Sequence, residues 1–167
     1  MCSSRPVSPR NPRGFTLLEI LMVMAIIALL AAITAPYIGN GLKSATFKTS
    51  VNRLMATMRY CRSRAISRKY TYHVTLSFEE NGYQIDTKDP DIKGTPAEKK
   101  FKHFPEEVRL YEISDENDTY NQGQYQVSFF PKGNSTGEKI LLMNHRERIV
   151  AVAVDQVTGR VSFSNSD

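Results

Sequence analysis

One apolar stretch, residues 15–35, constrains this chain more than any other feature. It is twenty-one residues long, and only Thr16, Glu19 and Thr34 in it carry polar side chains. A helix of this length, rising ~1.5 Å per residue, is roughly 31 Å long, which is about the thickness of the hydrocarbon core of a bilayer. The sequence therefore predicts a transmembrane helix over residues 15–35.

The segment before the apolar stretch, residues 1–14, is short and basic. It contains three prolines, three serines and three arginines and shows no hydrophobic period. A secretory signal peptide would be cut after its apolar region, at small residues. Here the junction that looks cleavable, Gly14-Phe15, lies before the apolar region instead. Residues 1–14 are therefore interpreted as a disordered leader.

The residues around this junction, Arg13-Gly14-Phe15-Thr16-Leu17-Leu18-Glu19, resemble the motif of type IV prepilins. In that family a basic leader ends in Gly, and the mature chain opens with Phe-Thr-Leu-[Leu/Ile]-Glu. The resemblance implies that a prepilin peptidase cuts between Gly14 and Phe15 and that the new amine of Phe15 is methylated. The basic residues on the two sides of the stretch do not decide its orientation. The resemblance implies the orientation: the chain passes once through the bacterial inner membrane, with its N-terminus in the cytoplasm and its head in the periplasm.

Glu19 is a carboxylate inside a predicted membrane helix. On insertion scales an acidic group costs about 2.5–3.5 kcal/mol near the bilayer centre and less near the interface. In one interpretation Glu19 only reaches back to the headgroups. In the other, which the resemblance implies, Glu19 faces the N-terminal amine of a neighbouring subunit. We adopt the second as a hypothesis, with Glu19 as an assembly residue, because charges inside membranes generally have a function.

A second helical segment follows over residues 36–69. Pro36 lacks an N–H group and its ring clashes with the preceding turn, so it predicts a kink, either for loosening inside a filament or simply at the interface. Beyond it, apolar residues recur at spacings of three and four and should pack on a sheet. These residues are Phe47, Val51, Leu54, Met58, Cys61 and Ala65. Cys61 is expected to be a small buried hydrophobic residue, since Cys2 would be lost with the leader.

The hydrophobic period changes from helical to alternating at residue 70, and residues 70–167 are predicted to form a β-rich head. The predicted strands are 70–78, 83–87, 108–113, 125–130, 139–143, 149–154 and 160–164. Residues 88–106 and 114–124 are predicted loops. The expected fold is α+β and pilin-like, with a long N-terminal helix packed on an antiparallel β-sheet head.

The head carries two motifs that resemble the GspH/FimT family of minor pseudopilins. Phe129-Phe130-Pro131-Lys132-Gly133 is similar to the family's Phe-x-Pro-x-Gly strand end, and Ile149–Val161 is similar to its closing hairpin. The resemblance implies a structural subunit of a periplasmic pseudopilus that serves type II protein secretion. Its partners would be other pilins or pseudopilins, the prepilin peptidase and an inner-membrane assembly platform, and it would need no cofactor.

The charge distribution leaves a second function open, a FimT/FimU-like minor pilin that acts in pilus assembly or in DNA binding and uptake. Residues 43–69 hold eight basic residues and no acid, so Arg62 and Arg64, together with Arg160 near the C-terminus, are candidates for phosphate contacts. The FimT-type signature is Gly-Arg-x-Arg, however, and here serine follows in Gly159-Arg160-Val161-Ser162. Residues 79–118 also hold twelve acids against six bases. We therefore do not expect nucleic-acid binding.

Catalysis is not expected either. His73, His103 and His145 are scattered, and none lies in an HExxH, GxSxG or paired-cysteine pattern. The sequence thus predicts neither an enzyme nor a metal site.

Overall fold

The computed structural model describes residues 15–90, 100–115 and 117–165. The chain divides into two compact units, Met1–Asn40 and Gly41–Asp167. Helix α1 (Leu17–Arg68) begins in the first unit and ends in the second. The backbone is helical at Pro36, and a bend at that position stays a prediction. Within the described residues, no helix combines the length and the apolar character that crossing a membrane requires.

The second unit contains two antiparallel sheets. The strands are β1 (Tyr72–Ser77), β2 (Gly82–Thr87), β3 (Lys102–His103), β4 (Val108–Ser114), β5 (Thr119–Tyr120), β6 (Gln124–Phe129), β7 (Lys139–Asn144), β8 (Ile149–Val154) and β9 (Val161–Asn165). One sheet has the order β3-β2-β1-β6 and the other β5-β4-β7-β8-β9. All pairs are antiparallel, and β4 has an irregularity between Leu110 and Glu112.

The C-terminal part of α1 and the inner faces of both sheets form one hydrophobic core. The whole predicted stripe from Phe47 to Ala65 is buried. The sheets contribute buried residues at alternating positions, because successive side chains of a strand point to opposite faces. Examples are Tyr72, Val74 and Leu76 in β1 and Ile140 and Leu142 in β7. Each fully buried aliphatic side chain stabilises the head by about 1.5–3 kcal/mol relative to exposure. The predicted α+β head is confirmed.

Two short strands lie in segments that the sequence predicts to be loops. Strand β3 pairs with the start of β2, and β5 pairs with the end of β4, each through two residues. Two residues are too few to show an alternating pattern, so the loop predictions for 88–106 and 114–124 were wrong at these points. Much of the first segment, residues 91–99, lies outside the described residues.

Candidate assembly site and the arginines of the head

The first turn of α1 is stabilised by Thr16. Its hydroxyl oxygen accepts the N–H of Glu19 at 3.2 Å, and its carbonyl oxygen accepts the same N–H at 3.1 Å. Thr16 is therefore the N-cap, and Glu19 occupies the position that glutamate takes in a capping box. A carboxylate in the first turn also interacts favourably with the helix dipole. Glu19 thus lies at a position where a carboxylate favours the start of the helix, besides the assembly role predicted from the sequence.

Sequence reasoning missed the role of Thr16, although the signal is present. A threonine followed three residues later by a glutamate, directly before an apolar run, is the usual signature of a capped helix start. The prepilin motif Phe15–Glu19 therefore contains a helix start signal as well as a processing signal. Gly14, on the other side of the predicted cut, lies outside the described residues.

The apolar side chains of the first turns are exposed. Phe15 is 78 % exposed, and large hydrophobic side chains on every side of α1 up to Leu30 are also exposed. Glu19 is exposed among them. Monomeric soluble proteins rarely expose contiguous apolar patches larger than a few hundred Å². The start of α1 is therefore a surface for contact with other apolar groups, and Phe15 and Glu19 lie within it.

In the head, Arg62 joins α1 to two turns. Its Nε donates to the carbonyl oxygen of Thr158 at 2.8 Å and, at 3.3 Å, to that of Gly133. The first acceptor lies in the turn between β8 and β9, and the second lies in the turn after β6. These are the turns that contain the two motifs resembling the GspH/FimT family. The motifs therefore meet around one arginine of the helix.

The glycines of these two turns have backbone conformations that other residues rarely adopt. Gly133 has φ +91° and Gly159 has φ +62°. A Cβ on Gly159 would collide with the carbonyl oxygen of Gly133 and would lie 3.0 Å from Nε of Arg62. We call Arg62, Gly133, Thr158 and Gly159 the Arg62 cluster. Its close packing explains why both motifs need glycine.

Other arginines of α1 also contact the head. Arg59 donates from Nη2 to the carbonyl oxygen of Val161 at 3.0 Å, and Arg68 lies 3.9 Å from the buried carboxylate of Asp89. Arg64 behaves differently: its guanidinium stacks over the Tyr60 ring, 5.3 Å from the centroid, and Nε donates to the Tyr60 hydroxyl at 3.1 Å.

Of the three arginines predicted as a possible DNA surface, Arg62 is thus half-buried and bonded within the head. Arg64 lies along the helix surface, and Arg160 is exposed next to the Asp155 turn. Their role in DNA binding stays a prediction. The basic segment 43–69 nevertheless has an internal explanation for several of its charges.

A row of polar side chains crosses three strands on the outer face of the four-stranded sheet. His73 lies opposite Asp86 in β2 and opposite Ser128 in β6, and its Nδ1 is 2.8 Å from the Ser128 hydroxyl. The residue types are those of a hydrolase triad. Ser128 is only 7 % exposed, however, and the Asp86 carboxylate accepts the Thr75 hydroxyl at 2.9 Å. The row is therefore explained by cross-strand pairing.

Burial lowers the pKa of His73; the charge of Asp86 opposes this effect to a smaller extent, and the charge of Lys88 adds to it. Neutral His73 is thus the favoured form in the folded head. Among the described residues, no group of three His, Cys, Asp or Glu side chains lies close enough together to hold a metal ion.

A long N-terminal helix that starts with an exposed apolar segment and ends packed on antiparallel sheets defines a pilin-like subunit. Comparison with known families is consistent with this class. Residues 9–35 match the model of the prokaryotic N-terminal methylation motif, and residues 50–159 match that of the type II transport protein GspH. The chain therefore belongs to the GspH family, and the resemblance predicted from the sequence is confirmed.

Solved structures of two proteins have the same fold. The minor pseudopilin EpsH from the type 2 secretion system of Vibrio cholerae aligns with a TM-score of 0.55 at 12 % identity, over 71 % of this chain and 96 % of EpsH. The type IV minor pilin FimU of Pseudomonas aeruginosa aligns with a TM-score of 0.51 at 13 % identity, over 71 % of this chain and 87 % of FimU. No curated protein sequence matches significantly. At such identities, the likeness to the two structures concerns the fold alone.

Proposed function

We propose that this chain is a minor pseudopilin, a structural subunit of a type II secretion pseudopilus that takes part in protein secretion. The observation that carries the proposal is the combination of two family matches in one chain. The methylation motif covers residues 9–35, and the GspH match covers residues 50–159 of the head. The subunit contributes binding surfaces and performs no catalysis.

Maturation comes first in this proposal. The prepilin peptidase cuts between Gly14 and Phe15, and the Phe15 amine is methylated. Residues 15–35 then hold the chain in the inner membrane with the head in the periplasm, where an assembly platform inserts it among other pseudopilins. The support is the prepilin motif together with the exposed apolar side chains of α1 between Phe15 and Leu30.

Assembly then brings Glu19 to the Phe15 amine of a neighbouring subunit. An unpaired carboxylate in apolar surroundings is costly, whereas a paired one is tolerated. Glu19 is exposed in the single chain and therefore accessible to such a partner. The amine exists only after cleavage, so processing would be a condition for this pairing.

Mass analysis of the N-terminus of membrane-bound protein tests the maturation step. We expect a chain that begins with methylated Phe15. A chain that retains residues 1–14, or that begins elsewhere, would contradict the prepilin assignment.

Deletion of the gene in its own bacterium tests the function. Secreted protein should fall in the medium and accumulate in the periplasm, while twitching and DNA uptake stay at wild-type levels, and a plasmid copy should restore secretion. Normal secretion combined with loss of twitching or DNA uptake would instead favour the minor type IV pilin. The second outcome is not our expectation, because the head matches the GspH family and Arg62, one of the three candidate phosphate-binding residues, already donates within the head.

A further inference from the structure

Two carboxyl side chains lie opposite each other at one end of the five-stranded sheet. The pairing of β4 with β7 ends at Ser114 opposite Lys139, so the next residues along the two strands are Asp115 and Glu138. The carbonyl oxygen of Glu138 accepts the N–H of Val154 in β8 at 2.7 Å. Glu138 follows the same alternation as Ile140, which points into the core, and is only 3 % exposed. A buried acid thus lies beside a second acid.

The two carboxyl groups have very different surroundings. Asp115 accepts the N–H groups of Asp118 and Asn117, both at 2.8 Å, and the hydroxyl of Tyr125 at 3.2 Å. These hydrogen bonds, led by the one from Asp118, lower the pKa of Asp115. Asp115 is therefore the member of the pair that is stable as an anion.

Both carboxyl oxygens of Glu138, by contrast, are buried and lack a hydrogen-bond partner among the described residues. The Thr136 hydroxyl lies near the Glu138 carboxyl group and lowers its pKa, against the effect of burial. This hydroxyl accepts the N–H of Ser128 at 3.0 Å, and it forms no hydrogen bond of ordinary geometry with Glu138. Burial, with a smaller contribution from the charge of Asp115, raises the pKa of Glu138 to about 7. Ionised Glu138 is therefore disfavoured in the folded head.

We propose that Glu138 and Asp115 form a proton-binding site, in which Glu138 holds a proton in the folded head and its loss loosens the ends of β4, β7 and β8. A protonated Glu138 can donate an O–H to a neighbouring oxygen, whereas two ionised carboxylates on opposite strands repel each other. A lone buried charge is also poorly solvated. The site is a property of the head and does not depend on the role in secretion.

The surroundings offer an ionised Glu138 one way to reach water. An open groove of about 570 Å³ runs along these strand ends and is lined by Asp115, Glu138, Lys139, Asp155 and Ser162, among others. Turning the ionised side chain towards this groove would hydrate it, but would also disturb the pairing at the strand ends.

The charged or titratable groups around Glu138 come from several strands. Asp115 follows β4, Tyr125 belongs to β6, Lys139 begins β7 and Asp155 follows β8. Burial, followed by the charges of Glu138 and Asp115, raises the pKa of Tyr125, so this tyrosine stays neutral across the range considered. Among these neighbours, Glu138 is the group that changes charge near neutral pH.

The sign of the effect follows from the two proton-binding states. The pKa of Glu138 is about 7 in the folded head, against an ordinary value of 4.5. Between these values the folded state binds the proton and the unfolded state does not. The stability that the proton supplies is therefore complete below pH 4.5, decreases as pH rises and is lost above pH 7.

Equilibrium unfolding of the full chain in detergent micelles tests the site, with near-ultraviolet tyrosine circular dichroism as the signal. Between pH 4.5 and pH 8, the unfolding equilibrium constant of wild type, divided by that of Glu138→Gln, should rise on the order of 100-fold. The comparison removes the contribution of His73, whose lowered pKa acts in the opposite direction and is common to both proteins. Glu106→Gln, at an exposed position, is the matched control and should keep the wild-type profile. Parallel profiles for wild type and Glu138→Gln would overturn the proposal.

A direct titration covers the case in which Glu138→Gln does not fold. The ¹³C shift of the Glu138 carboxyl carbon in the wild-type chain should change with a midpoint near pH 7, and Asp115→Asn should lower that midpoint. A wild-type midpoint near pH 4.5 would overturn the site. A midpoint that Asp115→Asn leaves unchanged would overturn the pair.

Discussion

The Nε of Arg62 donates to the carbonyl oxygen of Thr158 at 2.8 Å, across ninety-six residues of sequence. This hydrogen bond joins the helix to the turn before the last strand, and a second one joins it to the turn that contains Gly133. Residues far apart in the chain thereby share one donor group, and the integrity of the head should depend on it.

Arg62→Ala should destabilise the head by about 1–3 kcal/mol, because two carbonyl oxygens lose their donor. Arg62→Lys should recover little, since an ammonium group cannot reproduce the planar guanidinium. Arg53→Ala, at an exposed position of the same helix, is the control and should change stability by less than about 0.5 kcal/mol. Thermal unfolding of the three variants measures the difference; equal effects of Arg62→Ala and Arg53→Ala would contradict it.

Gly159→Ala should destabilise the head more than Gly123→Ala does. Both glycines have positive φ, +62° and +75°, so each alanine variant loses on the order of 1 kcal/mol from backbone strain. The added Cβ at Gly159 also collides with the Gly133 carbonyl oxygen, whereas at Gly123 it meets nothing within 4 Å. Urea unfolding of the two variants isolates the collision. If they were equally stable, the close packing of the Arg62 cluster would be wrong.

Asn81 should hold the two sheets together. Its Nδ2 donates to the carbonyl oxygen of Val108 at 2.8 Å, and its Oδ1 accepts the N–H of Leu110 at 3.0 Å. Asn81 ends the turn between β1 and β2, so these bonds connect that hairpin to β4. Asn81→Ala should cost about 1–3 kcal/mol.

Asn81→Asp is the matched variant, because its carboxylate keeps the acceptor for the Leu110 N–H and removes the donor to the Val108 carbonyl oxygen. At neutral pH it should protect the Leu110 amide as wild type does and lose stability where its charge faces the Val108 oxygen. Hydrogen exchange of the Leu110 amide gives the local readout. Faster exchange in the alanine variant alone is expected, and equal protection in all three proteins would exclude this role.

Glu19→Gln should separate the two roles of Glu19. Glutamine occupies the same capping position as glutamate, so helix start and cellular abundance should be close to wild type. The charge that pairs with the Phe15 amine is lost, so we expect poor incorporation into filaments. Thr16→Ala is the complementary variant: it removes the N-cap, which costs about 1 kcal/mol of helix stability, and keeps the charge. Cross-linking to neighbouring pilins reports incorporation, and unchanged cross-linking of Glu19→Gln would exclude charge pairing.

The elements of the head that have a periodic pattern were predictable from the sequence. The stripe from Phe47 to Ala65 is buried as expected, and each of the seven predicted strands is present, with no end shifted by more than two residues. Strands β3 and β5 were not predictable, because two paired residues leave no alternation. The capped start of α1 had a readable signal in Thr16 and Glu19.

The sequence has no comparable signal for the contacts of Arg62 or for the burial of Glu138. An arginine on a basic helix face is expected to be exposed to solvent. The two carbonyl oxygens that Arg62 contacts lie seventy-one and ninety-six residues away in the sequence, so no local pattern indicates them. A glutamate directly before a predicted strand is usually exposed to solvent. Glu138 is buried instead, because it continues the inward-facing alternation of β7 by one residue. Both facts depend on tertiary packing, which local sequence patterns do not contain.

The burial of Cys61 has a practical consequence. Its side chain is 0 % exposed in the core, and burial raises the pKa of its thiol to about 12. Thiolate is the reactive form of cysteine, so maleimides and oxidants should leave Cys61 unmodified while the head is folded. In chains that have lost Cys2 with residues 1–14, a cysteine introduced on the surface of the head could then be labelled selectively with the Cys61 thiol in place. In unfolded chains Cys61 would react too, which makes its labelling a measure of how much of a preparation is folded.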